Sequence, residues 1–391
     1  MNDLASTSSF VDGASSSPKL DIIWNTTMVC GWNCAACCVA ATHVKQKNGL
    51  VFISTPELDR YEKIPADPGA GNIFDQALRH RQARGLELTF EQKLQVLDNL
   101  AGHRVQVDLS GGDVLSPRKE GTRLLDAAVS KLGRHALTLT ATGSGLAHAD
   151  VKDVAKKIKE LNFTFDGTPD PDNPLRPATY AATNLRKAKQ FAAEGVITRA
   201  ECPLSAQNLE PAALERIYLQ LRNAGIDKFL LMRLFPSGRG EFVREAIPTN
   251  LQYKRAIATL RSLEAEYGGP EVKLQCALRW LEGPSVVNPC DAMTESFGLM
   301  WDGTLLGSPW AINKSGRPVD QAWVLGNLAE NTLTEILGSE KVERLRSRAA
   351  ENHGSCKMFA WFHGSSKNAE DRMFENSDPL YNSTQALKDA A

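Results

Sequence analysis

The sequence predicts an α/β fold in which six parallel strands form a barrel-like or open sheet, with a small α+β extension behind it. Two observations lead to this prediction. Strand-like and helix-like segments alternate at a steady spacing from about residue 20 to residue 240, and a separate helix, hairpin and helix follow. Such alternation implies parallel pairing through right-handed crossovers, which brings the carboxyl ends of the strands to one edge of the sheet.

The alternating segments can be followed in order. KLDIIWNTTMVC is apolar and rich in β-branched residues, so it predicts a buried strand that ends at Cys30. A helix follows where Thr89 and Gln92 have the spacing of a capping box. The later units are, in chain order, strand RVQVDLS, helix GTRLLDAAVSKL, strand ALTLTAT, helix ADVKDVAKKIKEL, strand NFTFDG, helix YAATNLRKAKQFAAEG, strand VITRAEC, helix PAALERIYLQLRNAG and strand KFLLMRLFP.

Other stretches fall outside this alternation. Residues 1–19 are rich in Ser, Ala and Asp, which predicts a disordered start. From about 44 to 88 the pattern is weak, with NGLVFIS as the only strand-like piece, so we expect a long insertion beside the first strand. After a helix from about 250 to 268, FGLMWDGTLLGSPW predicts a hairpin that turns at Asp302 and Gly303, and TLTEILGSEKVERLRSRAA predicts a helix.

The composition is that of a soluble globular protein. Of the 391 residues, 42% are apolar and 23% are charged, and the net charge of -1 gives no basic excess for a nucleic-acid surface. The first residues have neither the basic nor the apolar region of a secretory signal, and no run approaches the roughly 18 apolar residues of a membrane span. We therefore expect a cytoplasmic protein with no nucleic-acid or membrane partner.

Four of the eight cysteines lie in MVCGWNCAACCVAATH, where Cys30, Cys34 and Cys37 form the pattern C-x3-C-x2-C. Clustered cysteines in the reducing cytoplasm more often bind a metal or react than form disulfides. Structural zinc takes four ligands, and a thioredoxin-like pair would leave Cys30 unexplained. A cubane [4Fe–4S] cluster takes one thiolate per iron, so three cysteines leave its fourth iron open to a small molecule. We expect Cys38 and Cys202 to serve packing.

The triad, placed after the first strand of a six-fold series, resembles the radical SAM superfamily. After the second strand, LSGGD resembles the Gly-Gly-Glu motif of that superfamily, whose backbone meets the amino group of S-adenosylmethionine. The resemblance assigns this contact to Gly111, Gly112 and Asp113, although Asp113 replaces the usual Glu. The residue before the third cysteine is Ala36, where the superfamily usually has an aromatic residue.

Two further motifs support the resemblance. FTFDG resembles a Ser-x-Asp-Gly strand end and places Thr164 and Asp166 near the cofactor, and LFPSGRG resembles a Pro-x-Gly-Arg motif after the sixth strand. Thr142 and Ser144, in TATGSG at the end of the third strand, are further candidates for cofactor contact. The resemblance implies a partial (β/α)6 TIM-like barrel over residues 20–245, with an extension and tail over 246–391.

The resemblance also implies a mechanism. A reduced [4Fe–4S] cluster, chelated by S-adenosylmethionine, passes one electron into the sulfonium and releases a 5′-deoxyadenosyl radical, which abstracts a hydrogen atom from the substrate. An external reductant has to supply the electron. The protein then binds and orients the reactants and excludes water. No individual catalytic acid or base is assigned.

The region after the barrel resembles the SPASM or twitch extension of radical SAM enzymes, in which cysteines hold auxiliary iron–sulfur clusters. LGNLAENTLTEIL matches it well, but Ser308 stands where a second cysteine is expected. Cys276, Cys290 and Cys356 remain, and they either hold one auxiliary cluster or are relics, because a closed cluster needs four ligands. His363 is either a further ligand or a surface or capping residue.

Enzymes with this extension mostly modify peptides, which makes a ribosomally made precursor peptide the first substrate prediction. Within that group, CCVAATHVK resembles radical SAM spliceases, which excise a tyramine unit and leave a β-amino acid. A separate protein could deliver the leader peptide. The alternatives are radical chemistry on a small metabolite and a non-catalytic metal-binding interaction protein, although the latter leaves LSGGD and the strand–helix series unexplained.

Overall fold

The structure is a computed structural model, and it describes residues 19–167, 175–206, 208–283, 290–351 and 356–381. The expectation of disorder for residues 1–19 therefore lies almost entirely outside the described residues. Within the described ranges, no helix is both long enough and apolar enough to span a bilayer.

Fourteen strands and twelve α-helices are described. The strands are β1 Leu20–Thr27, β2 Val29–Cys30, β3 Thr42–Lys47, β4 Leu50–Thr55, β5 Arg60–Pro65, β6 Val105–Gly111, β7 Leu137–Thr140, β8 Glu160–Thr164, β9 Ile197–Leu204, β10 Lys228–Arg233, β11 Glu271–Leu274, β12 Ser296–Leu299, β13 Thr304–Leu306 and β14 Val324–Asn327. The helices are α1 Ile73–Ala83, α2 Phe90–Ala101, α3 Arg118–Leu132, α4 Gly143–Leu146, α5 Val151–Ala155, α6 Tyr180–Ala193, α7 Pro211–Asn223, α8 Asn250–Tyr267, α9 Leu333–Leu337, α10 Glu340–Glu351, α11 Lys357–His363 and α12 Ala369–Met373.

The main sheet has ten strands in the order β11-β10-β9-β8-β7-β6-β1-β12-β13-β14. The six predicted strands β1, β6, β7, β8, β9 and β10 lie side by side in chain order, and every neighbouring pair among them is parallel. The predicted α/β fold with a six-stranded parallel core is therefore confirmed. Its strand ends gather at one edge, as right-handed crossovers require.

The core of the sheet is built from alternate residues. Along β6, Val107 and Leu109 are fully buried in the main apolar cluster, which helices α2 and α3 complete with residues such as Leu97 and Leu124. Helix α2 begins with the predicted capping box, in which the Gln92 backbone N–H donates to the Thr89 hydroxyl. Burial of this apolar face stabilises the strand order and leaves the other face of the strands for polar side chains.

The insertion after the cysteines is more regular than the sequence suggested. Instead of one strand it forms a second sheet, in the order β2-β3-β4-β5, with α1 packed against one face. The turn between β3 and β4 falls at Asn48 and Gly49, both with positive φ. An Asn-Gly pair between two extended runs is the usual signal for such a hairpin, and the weak hydrophobic pattern concealed it.

The extension also departs from expectation in two details. The hairpin at Asp302 and Gly303 is confirmed, but its strand β12 pairs in parallel with β1, so the extension continues the main sheet. The helix expected over TLTEILGSEKVERLRSRAA is two helices, α9 and α10, that are interrupted at Gly338. Likewise, the helix expected over ADVKDVAKKIKEL ends at Ala155, and strand β8 already begins at Glu160. The boundary between core and extension stays a prediction.

Candidate cofactor site

The cysteine loop leaves the carboxyl end of β1, at the edge where parallel strands collect functional residues. Strand β1 is held between β6 and β12, with Ile22 and Trp24 fully buried. The short strand β2 then places Cys30 opposite His43 of β3. Two paired sheets therefore hold the start of the loop in place.

The three predicted cluster ligands are thiols in a protected environment. Burial raises the pKa of Cys30 well above its usual value, and nearby Asp113, Cys34 and Cys37 add to the rise. Burial also raises the pKa of Cys34, which the charge of Arg176 opposes. The Cys30 and Cys34 thiols therefore stay neutral alone, whereas a metal deprotonates thiol ligands outright, so these two residues fit a metal centre better than a reactive thiolate.

Backbone N–H groups already point at two of the sulfur atoms. The Trp32 N–H lies 3.4 Å from Cys30 Sγ, and the Ala41 N–H lies 3.3 Å from Cys37 Sγ. These donors would stabilise the electron density on the sulfur atoms of a sulfur-ligated cluster. The loop thus fits an iron–sulfur cluster in its residue types and in its donors.

Arg239, in the turn that follows β10, holds the same loop by hydrogen bonds. Its Nε donates to the carbonyl of Cys34 and its Nη1 to the carbonyl of Ala41, both at 2.8 Å. Gly238 lies so close to the backbone of the cysteine loop that a Cβ at this position would be 2.5 Å from the Cys37 carbonyl oxygen. The Pro-x-Gly-Arg motif therefore supports the cysteine loop through backbone contacts, a role that its spacing alone did not reveal.

Gly111 and Gly112 pack against the backbone that leads into Cys30. A Cβ on Gly112 would lie 2.4 Å from the carbonyl oxygens of both Met28 and Val29, and one on Gly111 would lie 2.4 Å from the Thr27 oxygen. The Gly112 N–H donates to that Thr27 oxygen at 2.7 Å. The glycines are thus needed for close approach of two strand ends, which positions the cysteine loop.

Asp113 is a fully buried junction between the second and third strand ends. Its carboxylate accepts hydrogen bonds from Thr142 Oγ1 and the Gly145 N–H, both at 2.6 Å, and from Ser116 Oγ at 2.9 Å. Ser144 Oγ lies 3.3 Å from Ser116 Oγ. The candidate residues Asp113, Thr142 and Ser144 therefore come together, but Asp113 and Thr142 use their side chains on each other. Their cofactor contact stays a prediction.

Asp166 and Thr164 stand at the end of β8 beside an arginine and a tyrosine that sequence reasoning missed. Arg176 Nε donates to Asp166 Oδ2 at 2.7 Å, and its guanidinium lies over the ring of Tyr180 at 5.3 Å. Tyr180 packs edge-on against Trp32 of the cysteine loop, with ring centroids 5.4 Å apart. Asp166 Oδ1 is buried and has no partner within the described residues. The cysteine loop therefore carries an aromatic side chain at Trp32, whereas position 36, where the superfamily usually has one, is alanine.

Polar side chains share the face of the main sheet that the helices do not cover. The Thr140 hydroxyl donates to Asp108 Oδ2 at 2.7 Å, and Asn162 Nδ2 donates to Thr140 Oγ1 at 3.2 Å. Arg199 pairs with Glu201 at 3.2 Å. Burial raises the pKa of both Asp108 and Glu201. Polar residues at every second position of strand RVQVDLS could have revealed this lining.

Cys38 is half-buried and Cys202 is buried near this site. Burial, followed by the neighbouring Cys37, raises the pKa of Cys38 to about 12, and Glu201 lies within electrostatic reach. Cys202 is fully buried and accepts a hydrogen bond from Asn208. Both placements suit the expected packing role.

The cysteines of the extension come together in space. Burial raises the pKa of Cys276 well above its usual value, and the nearby Cys290 and Cys356 raise it further. Burial and then Cys290 raise the pKa of Cys356 to about 12. The neighbouring Lys357 is fully buried, which lowers its pKa. Three thiols and an ammonium group in one buried region fit an anionic, sulfur-ligated centre.

A buried ion pair ties this cysteine region to the main sheet. Arg233 at the end of β10 makes two hydrogen bonds, of 2.8 and 2.7 Å, to the carboxylate of Asp378. The backbone N–H of Cys356 donates to the same carboxylate at 3.2 Å. His363 stacks on Phe359, with ring centroids 6.3 Å apart. Asp378 and Arg233 are structural partners of the extension that the sequence did not reveal.

Among the described residues, no group of three or more Cys, His, Asp or Glu side chains is already arranged so that it could hold a metal ion. Ligation by Cys30, Cys34 and Cys37, and by Cys276, Cys290 and Cys356, therefore remains a prediction. What the structure contributes is their proximity, their burial and the donors around them.

Residues 290–358 match the SPASM family, an iron–sulfur cluster-binding domain. This match lies within the predicted extension and includes Cys290 and Cys356. No curated protein sequence matches the chain.

Several solved structures have the same fold. The chain is similar to anSMEcpe with bound AdoMet, at 13% identity over 95% of this chain and 99% of that one, with a TM-score of 0.57. The same protein with AdoMet and the Cp18Cys peptide matches at 13% identity over 96% of this chain and 99% of that one, with a TM-score of 0.57. Streptococcus suis SuiB bound to precursor peptide SuiA matches at 13% identity over 90% of this chain and 74% of that one, with a TM-score of 0.63. These similarities confirm the predicted barrel-type fold, and the family match confirms the predicted SPASM resemblance of the extension.

Proposed function

We propose that this chain, which joins a SPASM domain to the fold of anSMEcpe and SuiB, is a radical SAM enzyme that modifies a peptide. The observation that carries the proposal is the cysteine loop. Cys30, Cys34 and Cys37 lie on one short, partly buried loop at the carboxyl edge of the parallel strands, directly beside the Gly111–Gly112 turn. A C-x3-C-x2-C loop at this edge suits a cluster with one open iron.

In this proposal Cys30, Cys34 and Cys37 hold a [4Fe–4S] cluster. Such a cluster would supply one electron to bound S-adenosylmethionine, and the 5′-deoxyadenosyl radical released from that cofactor would remove a hydrogen atom from the substrate. Gly112 and Arg239 keep the loop in place by their backbone contacts, and Arg176 offers a positive charge beside Cys34. Cys276, Cys290 and Cys356 would hold an auxiliary cluster in the SPASM domain.

The polar lining of the sheet supplies the binding surface for a substrate. Asp108, Asn162 and Glu201 lie within strands β6, β8 and β9, on the sheet face that the helices leave uncovered. The cysteine loop lies at the carboxyl end of the same sheet. Because their network is buried, it holds polar groups in fixed positions and excludes bulk water from the reacting region. Asn162 Oδ1 and Asp108 Oδ1 are buried and have no hydrogen-bond donor among the described residues, so this lining keeps unused acceptor capacity.

A peptide substrate is supported by the related structures. SuiB was solved with its precursor peptide SuiA, and anSMEcpe with the Cp18Cys peptide. We extend this substrate class to the present chain, with excision of a tyramine unit as the specific reaction suggested by CCVAATHVK. An external reductant supplies the electron, and a separate protein delivers the leader peptide.

The test is anaerobic reconstitution with iron and sulfide, followed by measurement of 5′-deoxyadenosine formed from S-adenosylmethionine under reducing conditions. The wild type should form 5′-deoxyadenosine, and the Cys30→Ala/Cys34→Ala/Cys37→Ala variant should not. Cys38→Ala, one residue along the same loop, is the matched control and should keep the activity. Equal product from the triple variant, or one zinc and no iron in the purified protein, would contradict the proposal.

Peptide modification is tested separately by a search for a precursor-peptide gene beside this one and by co-expression with any peptide so found, followed by mass spectrometry. Loss of one tyramine unit from the peptide would support the specific reaction. Cleavage of S-adenosylmethionine with no peptide product, together with turnover of a small metabolite, would replace the peptide by a metabolite as the substrate.

A further inference from the structure

The second sheet, β2-β3-β4-β5, has α1 packed against one face, and its other face is exposed. Strands β3 and β4 direct Val44, Val51 and Ile53 towards α1, where they form a small apolar cluster against which Ile64 of β5 packs. Because side chains alternate along a strand, the residues between them lie on the opposite face. We call that opposite face the basic face, and its residues are Lys45, Lys47, Leu50, Phe52, Tyr61 and Lys63.

Cross-strand pairing places these residues in rows. Lys45 lies opposite Phe52, which in turn lies opposite Lys63, so a phenyl ring stands between two ammonium groups. Lys63 Nζ is 5.4 Å from the Phe52 ring centroid, and Lys45 Nζ is 5.8 Å from the centroid of Tyr61. Tyr61 is 51% exposed, which is unusual for so large an apolar ring.

The charge on the basic face is not neutralised locally. Within the ranges that the structure describes, Lys45, Lys47 and Lys63 form no ion pair with a carboxylate. The acidic residue of these strands, Glu62, is on the other face beside Ile53. Its carboxylate pairs with His80 of α1 and with Arg84, the residue directly after α1. The basic face therefore carries three positive charges in a chain whose net charge is -1.

The basic face also begins at the cofactor site. Strand β3 pairs with β2 so that Cys30 lies opposite His43, two residues before Lys45. Each strand has six residues, which at about 3.3 Å per residue spans about 20 Å. A segment bound on this face would therefore run away from the cysteine loop over a length that suits about six extended peptide residues.

We infer that the basic face docks an acidic segment of the peptide substrate and so holds the reacting part of that peptide next to the cysteine loop. The inference rests on the proposed peptide substrate and assigns it a recognition surface. Lysines pair with carboxylates of the segment, and Phe52 and Tyr61 cover its apolar side chains. Tethering at this site raises the effective concentration of the reacting residue at the cofactor.

The test uses the reconstituted holoenzyme and a fluorescein-labelled hexaglutamate peptide, with binding followed by fluorescence anisotropy. The Lys45→Glu/Lys47→Glu/Lys63→Glu variant should bind about tenfold or more weakly than the wild type, because three attractive charges become repulsive. The matched control Lys156→Glu/Lys189→Glu/Lys254→Glu changes the net charge equally at other exposed positions and should bind as the wild type does. Tyr61→Ser should weaken the binding of a fluorescein-labelled Glu-Leu-Glu-Leu-Glu-Leu peptide, whose leucines the ring would cover, with no change in the charge of the protein, and should leave the binding of hexaglutamate unchanged.

Several results would overturn the inference. Equal loss in the two triple variants would mean that only net charge matters, and equal affinity of the first variant and the wild type would remove the face from recognition. Tighter binding of a single-stranded oligonucleotide or of phosphatidylglycerol vesicles to the basic face would assign it to another partner. Circular dichroism melting checks that each variant is folded. Cleavage of S-adenosylmethionine by the wild type is measured separately, so failure of the proposed function is distinguished from failure of the docking surface.

Discussion

Replacing Gly112 by alanine should destabilise the protein and lower the amount of iron that the cysteine loop binds. The new Cβ would lie 2.4 Å from two backbone oxygens, those of Met28 and Val29, and 2.6 Å from the Met28 carbonyl carbon. Because all three atoms belong to the backbone, no side chain can rotate to make room. The backbone that leads to Cys30 must shift instead.

The expected cost follows from two contributions. Forcing an extra methyl group into a packed region typically costs about 1 to 3 kcal/mol. The shift also weakens the hydrogen bonds from the Gly112 N–H to Thr27 at 2.7 Å and from the Asp113 N–H to Val29 at 2.8 Å, each worth about 1 kcal/mol. We therefore expect Gly112→Ala to lower the free energy of unfolding by about 2 to 4 kcal/mol.

Urea unfolding of the apoprotein, followed by tryptophan fluorescence, measures the stability, and iron analysis after reconstitution measures the loop. Gly102→Ala is the matched control, because a Cβ at Gly102 meets no atom within 4 Å and its backbone is in the right-handed helical region. That control should be neutral or slightly stabilising. If Gly112→Ala unfolds at the wild-type urea concentration and keeps its full iron content, the reasoning about this turn is wrong.

Three further changes test other parts of the account. Asp378→Asn should lower the free energy of unfolding by about 3 to 5 kcal/mol, because it leaves the buried Arg233 without its counter-ion. The control Asp98→Asn, at an exposed pair with Lys131, should lower it by under about 1 kcal/mol in the same urea titration. Burial alone would raise the pKa of Glu62, but hydrogen bonds from Arg60, His80 and Arg84 lower it to about 2. Glu62 therefore stabilises the fold above its usual pKa of 4.5 and loses that contribution as the pH falls towards 2, so Glu62→Gln should flatten this part of the stability profile. Cys356→Ala should remove the auxiliary share of the iron, whereas Cys202→Ala, at another buried thiol, should leave the iron content unchanged; equal iron in both variants would argue against an auxiliary cluster.

The sequence was sufficient for the order of the main sheet because each strand and helix carries its own local pattern. Strands such as LTLT and helices such as PAALERIYLQLRN have the period of their element, and alternation then dictates parallel pairing. Elements with mixed signals were missed. The KQKNGLVF hairpin has a polar first strand, which hides its period, and β11 alternates polar and apolar residues over only four positions, too few to stand out.

For the candidate site, local spacing identified the cysteines but not their supports. Arg239, Arg176 and Asp378 act on residues that lie far away in the chain, and nothing in their local sequence marks those partners. Asp113 shows the same limit in another way. Its place in LSGGD suggested a cofactor contact, whereas its buried carboxylate bonds Thr142 and the Gly145 N–H, a pairing that only the folded chain brings about.

The central claim is that S-adenosylmethionine binds to an open iron held by Cys30, Cys34 and Cys37. It is tested most directly by electron paramagnetic resonance of the reduced Cys276→Ala/Cys290→Ala/Cys356→Ala variant, in which only the cluster of the cysteine loop would remain. We expect an iron–sulfur signal that changes when S-adenosylmethionine is added, because the cofactor becomes a ligand of the open iron. A signal that is unaffected by S-adenosylmethionine, or no iron–sulfur signal in a folded and reconstituted variant, would contradict the account.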